Sequence, residues 1–124
     1  MFKQIATLIL IATFLFSCFG KDKKLSVPIG DQDIEEEMIE VYKEAMDSLK
    51  DGDSLYASKK FSEAETLFPQ STWAPKASLM SAYALYSQNY FDDAIYNLER
   101  HIKNYPSDKN LDYAHYLIAI CYFE

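Results

Sequence analysis

The sequence predicts an all-α fold made of antiparallel helix pairs stacked along the chain. Composition is the first observation behind this prediction, because the 124 residues include only 3 glycines and 4 prolines. β-branched residues are also sparse after position 30, which favours helix over sheet. Hydrophobic residues make up 49% and aromatic residues 15%, so the chain can bury a core. The second observation is that the chain aligns with itself when it is shifted by about 37 residues.

Small residues, large apolar residues and prolines carry this repeat. The equivalent positions are Ala45, Ala82 and Ala119; Ala57 and Ala94; Phe61 and Leu98; and Pro69 and Pro106. Two antiparallel helices approach closely only where both present small side chains, so we expect Ala45 to face Ala57 and Ala82 to face Ala94. A proline ends the second helix of a pair because it lacks an N–H and clashes with the preceding turn. The pattern resembles the tetratricopeptide repeat, which implies an α-α superhelix with two full helix pairs and one unpaired helix.

The first element along the chain is a targeting segment at residues 1–17. A positive start at Lys3 is followed by an uncharged, mostly apolar run of twelve residues, Ile5–Phe16. As a helix this run would cover roughly 18 Å, too little for the ~30 Å hydrocarbon core of a bilayer. It therefore reads as the core of a signal peptide.

The end of this segment resembles the lipobox of bacterial lipoproteins. Leu15 stands three residues before Cys18, and the small Ser17 stands directly before it. The resemblance implies cleavage before Cys18 and attachment of lipid to this cysteine, which would anchor the chain. The next residue is Phe19 rather than Asp, so the usual signal for retention in the inner membrane is missing. An ordinary cleaved signal, or a membrane anchor with Cys18 incidental, is the alternative.

Residues 18–33 are predicted to form a lipidated flexible tether, because they mix charges, Pro28 and Gly30 without an apolar period. After removal of residues 1–17 the chain would carry 11 basic and 19 acidic side chains, a net charge of -8. Such an acidic chain is a poor match for nucleic acid and for an anionic membrane surface. Contact with a membrane would therefore depend on the lipid.

Residues 34–124 should form the repeats, in units of about 34–73, 74–110 and an incomplete 111–124. The predicted helices are Ile34–Leu49, Leu55–Leu67, Ala74–Ser87, Phe91–Asn104 and a fifth from Leu111 onward. Asp33 is the expected N-cap of the first helix. Pro75 fits the first turn of the third helix, where proline is tolerated. The fifth helix is apolar nearly all round, which predicts a piece of a longer protein or a bare face that binds a partner.

The sequence contains no pattern typical of an enzyme. Its two histidines, His101 and His115, are expected to be structural, and no phosphate loop, nucleophile motif, cofactor motif or metal spacing is present. In a tetratricopeptide superhelix the first helix of each pair lines the concave face. Counting from the aligned alanines, the predicted peptide-binding groove comprises Tyr42, Met46, Lys76, Leu79, Tyr83, Tyr86, Tyr113 and Tyr116. Tyrosine suits peptide capture, although any of these rings could instead pack one repeat against the next.

Four stretches of the repeats resemble one lipoprotein family more closely than they resemble a generic repeat. They are Leu67–Ala77, Ala82–Tyr86, Asn104–Pro106 and Leu111–Leu117. Together with the lipobox, they resemble the BamD family of outer-membrane lipoproteins of the β-barrel assembly machinery. The resemblance implies a lipid-anchored scaffold on the periplasmic face of the outer membrane. Its N-terminal repeats would bind unfolded outer-membrane proteins, and later repeats would dock on the barrel subunit BamA beside other lipoproteins of the complex.

Two other functions fit part of the pattern. One is a periplasmic tetratricopeptide protein of the CpoB kind, working with the Tol-Pal system in envelope constriction. Such a protein would share the tyrosine-proline ends of the repeats but would not need Cys18. The other is a lipoprotein scaffold for pilus or secretin assembly.

Overall fold

The computed structural model describes residues 30–124, and within this range the chain forms five helices and no strand. The helices are α1 (Asp31–Lys50), α2 (Ser54–Leu67), α3 (Ala74–Tyr86), α4 (Phe91–Asn104) and α5 (Leu111–Phe123). Each helix packs against the next along the chain, so the predicted all-α architecture of consecutive helix pairs is confirmed. The predicted signal peptide, Cys18 and most of the predicted tether lie outside the described residues.

The first helix begins earlier than the sequence suggested. Gly30 is its N-cap, and Asp31 to Asp33, which were assigned to the tether, form its first turn. The prediction that Asp33 caps the helix is therefore wrong. Its carboxylate instead reaches back from the third helical position and accepts a hydrogen bond from the Gly30 N–H at 3.2 Å. A carboxylate serves the free N–H groups of a first turn from that position as well as from the cap itself.

The turns inside the two helix pairs occur where they were predicted. Gly52 adopts a φ of +88°, a left-handed conformation that glycine enters without steric cost. Asp53 then caps α2 by accepting a hydrogen bond from the Tyr56 N–H at 3.1 Å. In the second pair Asn89 takes the left-handed conformation, with a φ of +64°. α3 ends at Tyr86, one residue before the predicted end.

A polar loop joins the two pairs and starts α3. The Ser71 hydroxyl accepts hydrogen bonds from the N–H groups of Trp73 at 3.2 Å and Ala74 at 3.1 Å. Pro75 occupies the first turn of α3, as predicted, where its missing N–H would have had no partner within the helix. The loop therefore gives α3 a defined beginning.

The small residues of the repeat lie in the core. Ala45 and Ala57 are fully buried in one cluster with Phe61 and Ala84, as the spacing predicts. Ala82 and Ala94 are both fully buried, but they belong to different core clusters. Ala82 belongs to a cluster with Leu79, Leu98, Ala114 and Leu117, and Ala94 to one with Leu85 and Cys121. The reason is that α5 packs onto the second pair, and its side chains share the space around both alanines.

A band of polar side chains runs through the interior between α2, α3 and α4. The Ser81 hydroxyl lies 2.9 Å from the hydroxyls of Ser58 and Ser62, and the Asn97 amide donates to it at 3.2 Å. Mutual hydrogen bonding is what makes the burial of such groups tolerable. The band ties the second helices of the two pairs together across the small side chains of α3.

Candidate functional site

The predicted groove residues lie on α1, α3 and α5, the first helix of each repeat unit. Some of these side chains are packed in the interior, and others are displayed, that is, exposed to solvent. Tyr83, Tyr113 and Tyr116 are the displayed tyrosines, with exposed fractions of 36%, 42% and 59%. Tyr86 is half-buried beside them. We refer to Tyr83, Tyr86, Tyr113 and Tyr116 as the tyrosine patch.

The patch consists of two tyrosine pairs on neighbouring units. On α3 the ring centres of Tyr83 and Tyr86 are 6.3 Å apart, and on α5 those of Tyr113 and Tyr116 are 6.4 Å apart. Burial raises the pKa of Tyr113, and the nearby phenols of Tyr83, Tyr86 and Tyr116 raise it further. The four rings therefore form one surface, which is apolar across the ring faces and polar at the hydroxyls.

Tyr42, Met46 and Leu79 are packing residues instead. The Tyr42 ring meets Phe61 edge to face at 5.1 Å and Trp73 at 5.3 Å, and burial raises the pKa of the Tyr42 phenol. Met46 packs against the cluster of Ala45, and Leu79 is buried in the core of the second unit. The alternative in which a ring packs one repeat against the next therefore applies to Tyr42, because it packs against the core cluster that contains Ala77 of α3.

Lys76 is the only predicted groove residue that carries a charge. Its ammonium lies over the Trp73 ring, 4.4 Å from the ring centre, while the side chain stays exposed at the start of α3. A cation in this position is attracted by the electron-rich ring face. The contact orients Lys76, and Trp73 is a residue that the groove prediction missed.

Sequence reasoning also missed a buried charged cluster that joins α2 to α4 and to the residue that follows α4. Glu65 of α2 is almost completely buried, and its carboxylate accepts hydrogen bonds from Arg100 at 2.8 Å and from the Tyr105 hydroxyl at 2.9 Å. Burial and this bond to Glu65 raise the pKa of Tyr105. The burial of Glu65 could have been predicted from its spacing. It follows Phe61 by four residues and hence lies on the same face of α2 as this core residue.

Three further properties concern the described part of the chain. Between residues 30 and 124, His, Cys, Asp and Glu side chains form no group of three or more that could hold a metal ion. None of the helices in this range has the length and apolar character needed to cross a membrane. Cys121 is a buried free thiol, and burial raises its pKa.

Comparison with known proteins places the chain in a family. The family model described as "YfiO: Outer membrane lipoprotein" matches residues 34–124, which include all of the tyrosine patch. The chain belongs to the YfiO family. The resemblance to BamD-type lipoproteins that the sequence suggested is thereby confirmed.

The relatives of this YfiO-family chain carry the name "Outer membrane protein assembly factor BamD". The protein of Caulobacter vibrioides is 35% identical over 116 residues, which cover 94% of this chain and 37% of the relative. The protein of Neisseria gonorrhoeae is 35% identical over 67% of this chain and 31% of its own length. That of Rickettsia prowazekii is 28% identical over 98% and 45%. The chain thus spans 31% to 45% of the length of these proteins. No solved structure matches it significantly.

Proposed function

We propose that this chain is a non-catalytic part of an outer-membrane β-barrel assembly factor, and that its tyrosine patch binds unfolded barrel proteins. Membership of the YfiO family and the names of the relatives support the assembly role. The observation that carries the binding role is the patch itself, four tyrosines on two adjacent units with three of them at least one-third exposed. Large rings held on rigid helices offer contact area at little entropic cost.

The spacing of the rings suits an extended peptide. Within each pair the ring centres are 6.3 or 6.4 Å apart. In an extended strand, side chains on the same face recur every second residue, at a distance of about 6.6 Å. Successive same-face side chains of a strand could therefore rest on successive rings. Strands of membrane barrels alternate apolar and polar residues, so they present such an apolar face before they are assembled.

The acidic net charge of the chain favours neutral or basic peptides. The chain without residues 1–17 has a net charge of -8, and the tyrosine hydroxyls add hydrogen-bonding groups without formal charge. Lys76 is the single cation among the predicted groove residues, and it is paired with the Trp73 ring. Apolar contact with the rings would accordingly contribute most of the affinity.

The proposal includes the anchor and the partners implied by the resemblance. A lipid on Cys18 would hold the acidic chain at the outer membrane, on its periplasmic face, and residues 19–29 would give the repeats reach. The partners would be a BamA-like barrel subunit and other lipoproteins of the assembly complex. Each acyl CH₂ buried in the bilayer contributes about 0.8 kcal/mol, so several chains make a stable anchor.

Binding of a labelled peptide from an outer-membrane barrel strand tests the proposal. Tyr83→Ala combined with Tyr116→Ala should weaken binding by about ten- to a hundredfold, since a central interface ring contributes roughly 1 kcal/mol or more. The matched control is Tyr90→Ala with Tyr96→Ala, which removes two exposed tyrosines outside the patch. The patch would be rejected as the binding surface if both double variants lost the same amount of peptide affinity. It would also be rejected if the Tyr83→Ala, Tyr116→Ala variant kept its affinity while circular dichroism showed an intact helical fold.

A further inference from the structure

The loop between α4 and α5 closes over a buried histidine. His101 in the last turn of α4 is fully buried, and its Nε2 lies 3.2 Å from Oδ2 of Asp108 in the loop. The Asp108 side chain is itself only 9% exposed. Neither imidazole nitrogen has a hydrogen bond of good geometry to another residue in the described range. A close carboxylate is thus the main polar neighbour of this ring.

Asp108 also organises the start of α5. Its N–H donates to the carbonyl of Tyr105 at 3.0 Å, and its own carbonyl accepts from the Leu111 N–H at 3.3 Å. The side-chain amide of Asn110, the N-cap of α5, lies 3.4 Å from both Asp108 carboxylate oxygens. The position of Asp108 over His101 therefore determines where α5, which carries Tyr113 and Tyr116, leaves the loop.

The charges around His101 come from three elements. Asp108 approaches from the loop, Glu65 from α2, and Arg100 lies next to His101 on α4. Glu65 is already engaged on both oxygens, by Arg100 and by the Tyr105 hydroxyl. The Tyr105 ring adds an apolar wall, with its centre 5.4 Å from that of the imidazole. Asp108 is consequently the carboxylate available to pair with a protonated His101.

We propose that His101 and Asp108 form an acid-sensitive joint, which holds α5 against the second helix pair and loosens it as the medium is acidified. A neutral imidazole is compatible with this buried site, whereas an imidazolium would lose its hydration and gain only one carboxylate in return. Opening of the loop would return the ring to water. It would also change the position of Tyr113 and Tyr116 relative to Tyr83 and Tyr86.

The direction of the pH effect follows from burial. Burial lowers the pKa of His101 below its ordinary value of 6.5, and the attraction of Asp108 and Glu65 only partly opposes this. At pH values well above 6.5 the ring is neutral in both the closed and the open state, and the joint is closed. As the pH falls below 6.5, the open state takes up a proton more readily than the closed state, and closure is progressively lost. Weaker peptide capture in acid is a consequence that rests on the proposed function.

Hydrogen exchange of the complete chain tests the joint without reference to peptide binding. Protection factors for residues 108–117 should fall about tenfold between pH 7.5 and pH 5.0, measured relative to those of α2. His101→Gln, which cannot titrate, should remove this difference. His115→Gln replaces the other histidine, which is exposed on α5, and should retain it. A pH-independent wild type, or a His101→Gln variant that keeps the drop, would overturn the proposal.

A measurement on the unmodified protein guards against a His101→Gln variant that fails to fold. The imidazole of His101 can be followed by nuclear magnetic resonance during an acid titration. We expect its protonation to coincide with the loss of amide protection at the start of α5. Protonation of His101 while the amides of residues 108–117 stay protected would contradict the joint, whatever the variants do.

Discussion

Leucine substitutions at equivalent repeat positions provide a direct test of the packing. Ala45 and Ala119 occupy the same position in the first and third units, but Ala45 is fully buried and Ala119 is exposed. Leucine and alanine have similar helix propensities, so the two substitutions differ mainly in the space that the new side chain meets. The pair therefore separates packing from local helix preference.

The expected magnitude follows from the surroundings of Ala45, which shares its cluster with Ala57, Phe61 and Ala84. Leucine would bring three additional carbon atoms into this contact between α1 and α2. Overpacking of a core costs about 1 to 3 kcal/mol. For a domain of this size 1 kcal/mol changes the Tm by roughly 4 to 8 °C, so Ala45→Leu should lower it by about 10 °C.

Thermal unfolding followed by circular dichroism provides the assay. Ala119→Leu should leave the Tm within about 3 °C of the unmodified chain, because exposed substitutions rarely change stability by more than about 0.5 kcal/mol. A drop of the same size at both positions, or no drop for Ala45→Leu, would show that the close approach of α1 and α2 at Ala45 does not control stability.

Two other substitutions examine the buried cluster and the anchor. Glu65→Ala would leave the Tyr105 hydroxyl and Arg100 without their acceptor. Because Arg100 is partly exposed and can be hydrated, we expect the free energy of unfolding in urea to fall by about 2 kcal/mol. An unchanged urea midpoint would contradict a structural role for the cluster. Cys18→Ser should release the full-length protein from the membrane fraction of cells that process lipoproteins, whereas the control Cys121→Ser should not. Retention of the Cys18→Ser protein in the membrane fraction would exclude the lipid anchor.

The regular part of the fold was predictable because it rests on local patterns. The bounds of α4 agree with the prediction at both ends, since its apolar period begins after the Asn89 turn and stops at a tyrosine-proline pair. The contacts of Ala82 were not predictable in the same way. The 37-residue period shows that Ala82 resembles Ala45, but only the packing of α5 decides which side chains enclose it.

The candidate site shows the same division. Sequence spacing assigned eight residues to one face, but it could not separate displayed rings from packed ones, because a tyrosine satisfies both roles. Tyr42 is packed because its ring contacts those of Phe61 and Trp73, and Trp73 comes from a loop whose path no periodicity predicts. The Glu65 and His101 contacts likewise join residues 35 and 7 positions apart in sequence, so they depend on the assembled fold.

Binding of two peptides of identical composition tests the central claim most directly. Both peptides would contain about ten residues, the usual length of a membrane-barrel strand. In one peptide aromatic and polar residues would alternate, and in the other the aromatic residues would recur at helical spacing. The alternating peptide should bind the unmodified chain at least about tenfold more tightly, because a shift of one residue moves a side chain to the opposite face of a strand. Equal affinities would contradict recognition of extended barrel strands by the tyrosine patch.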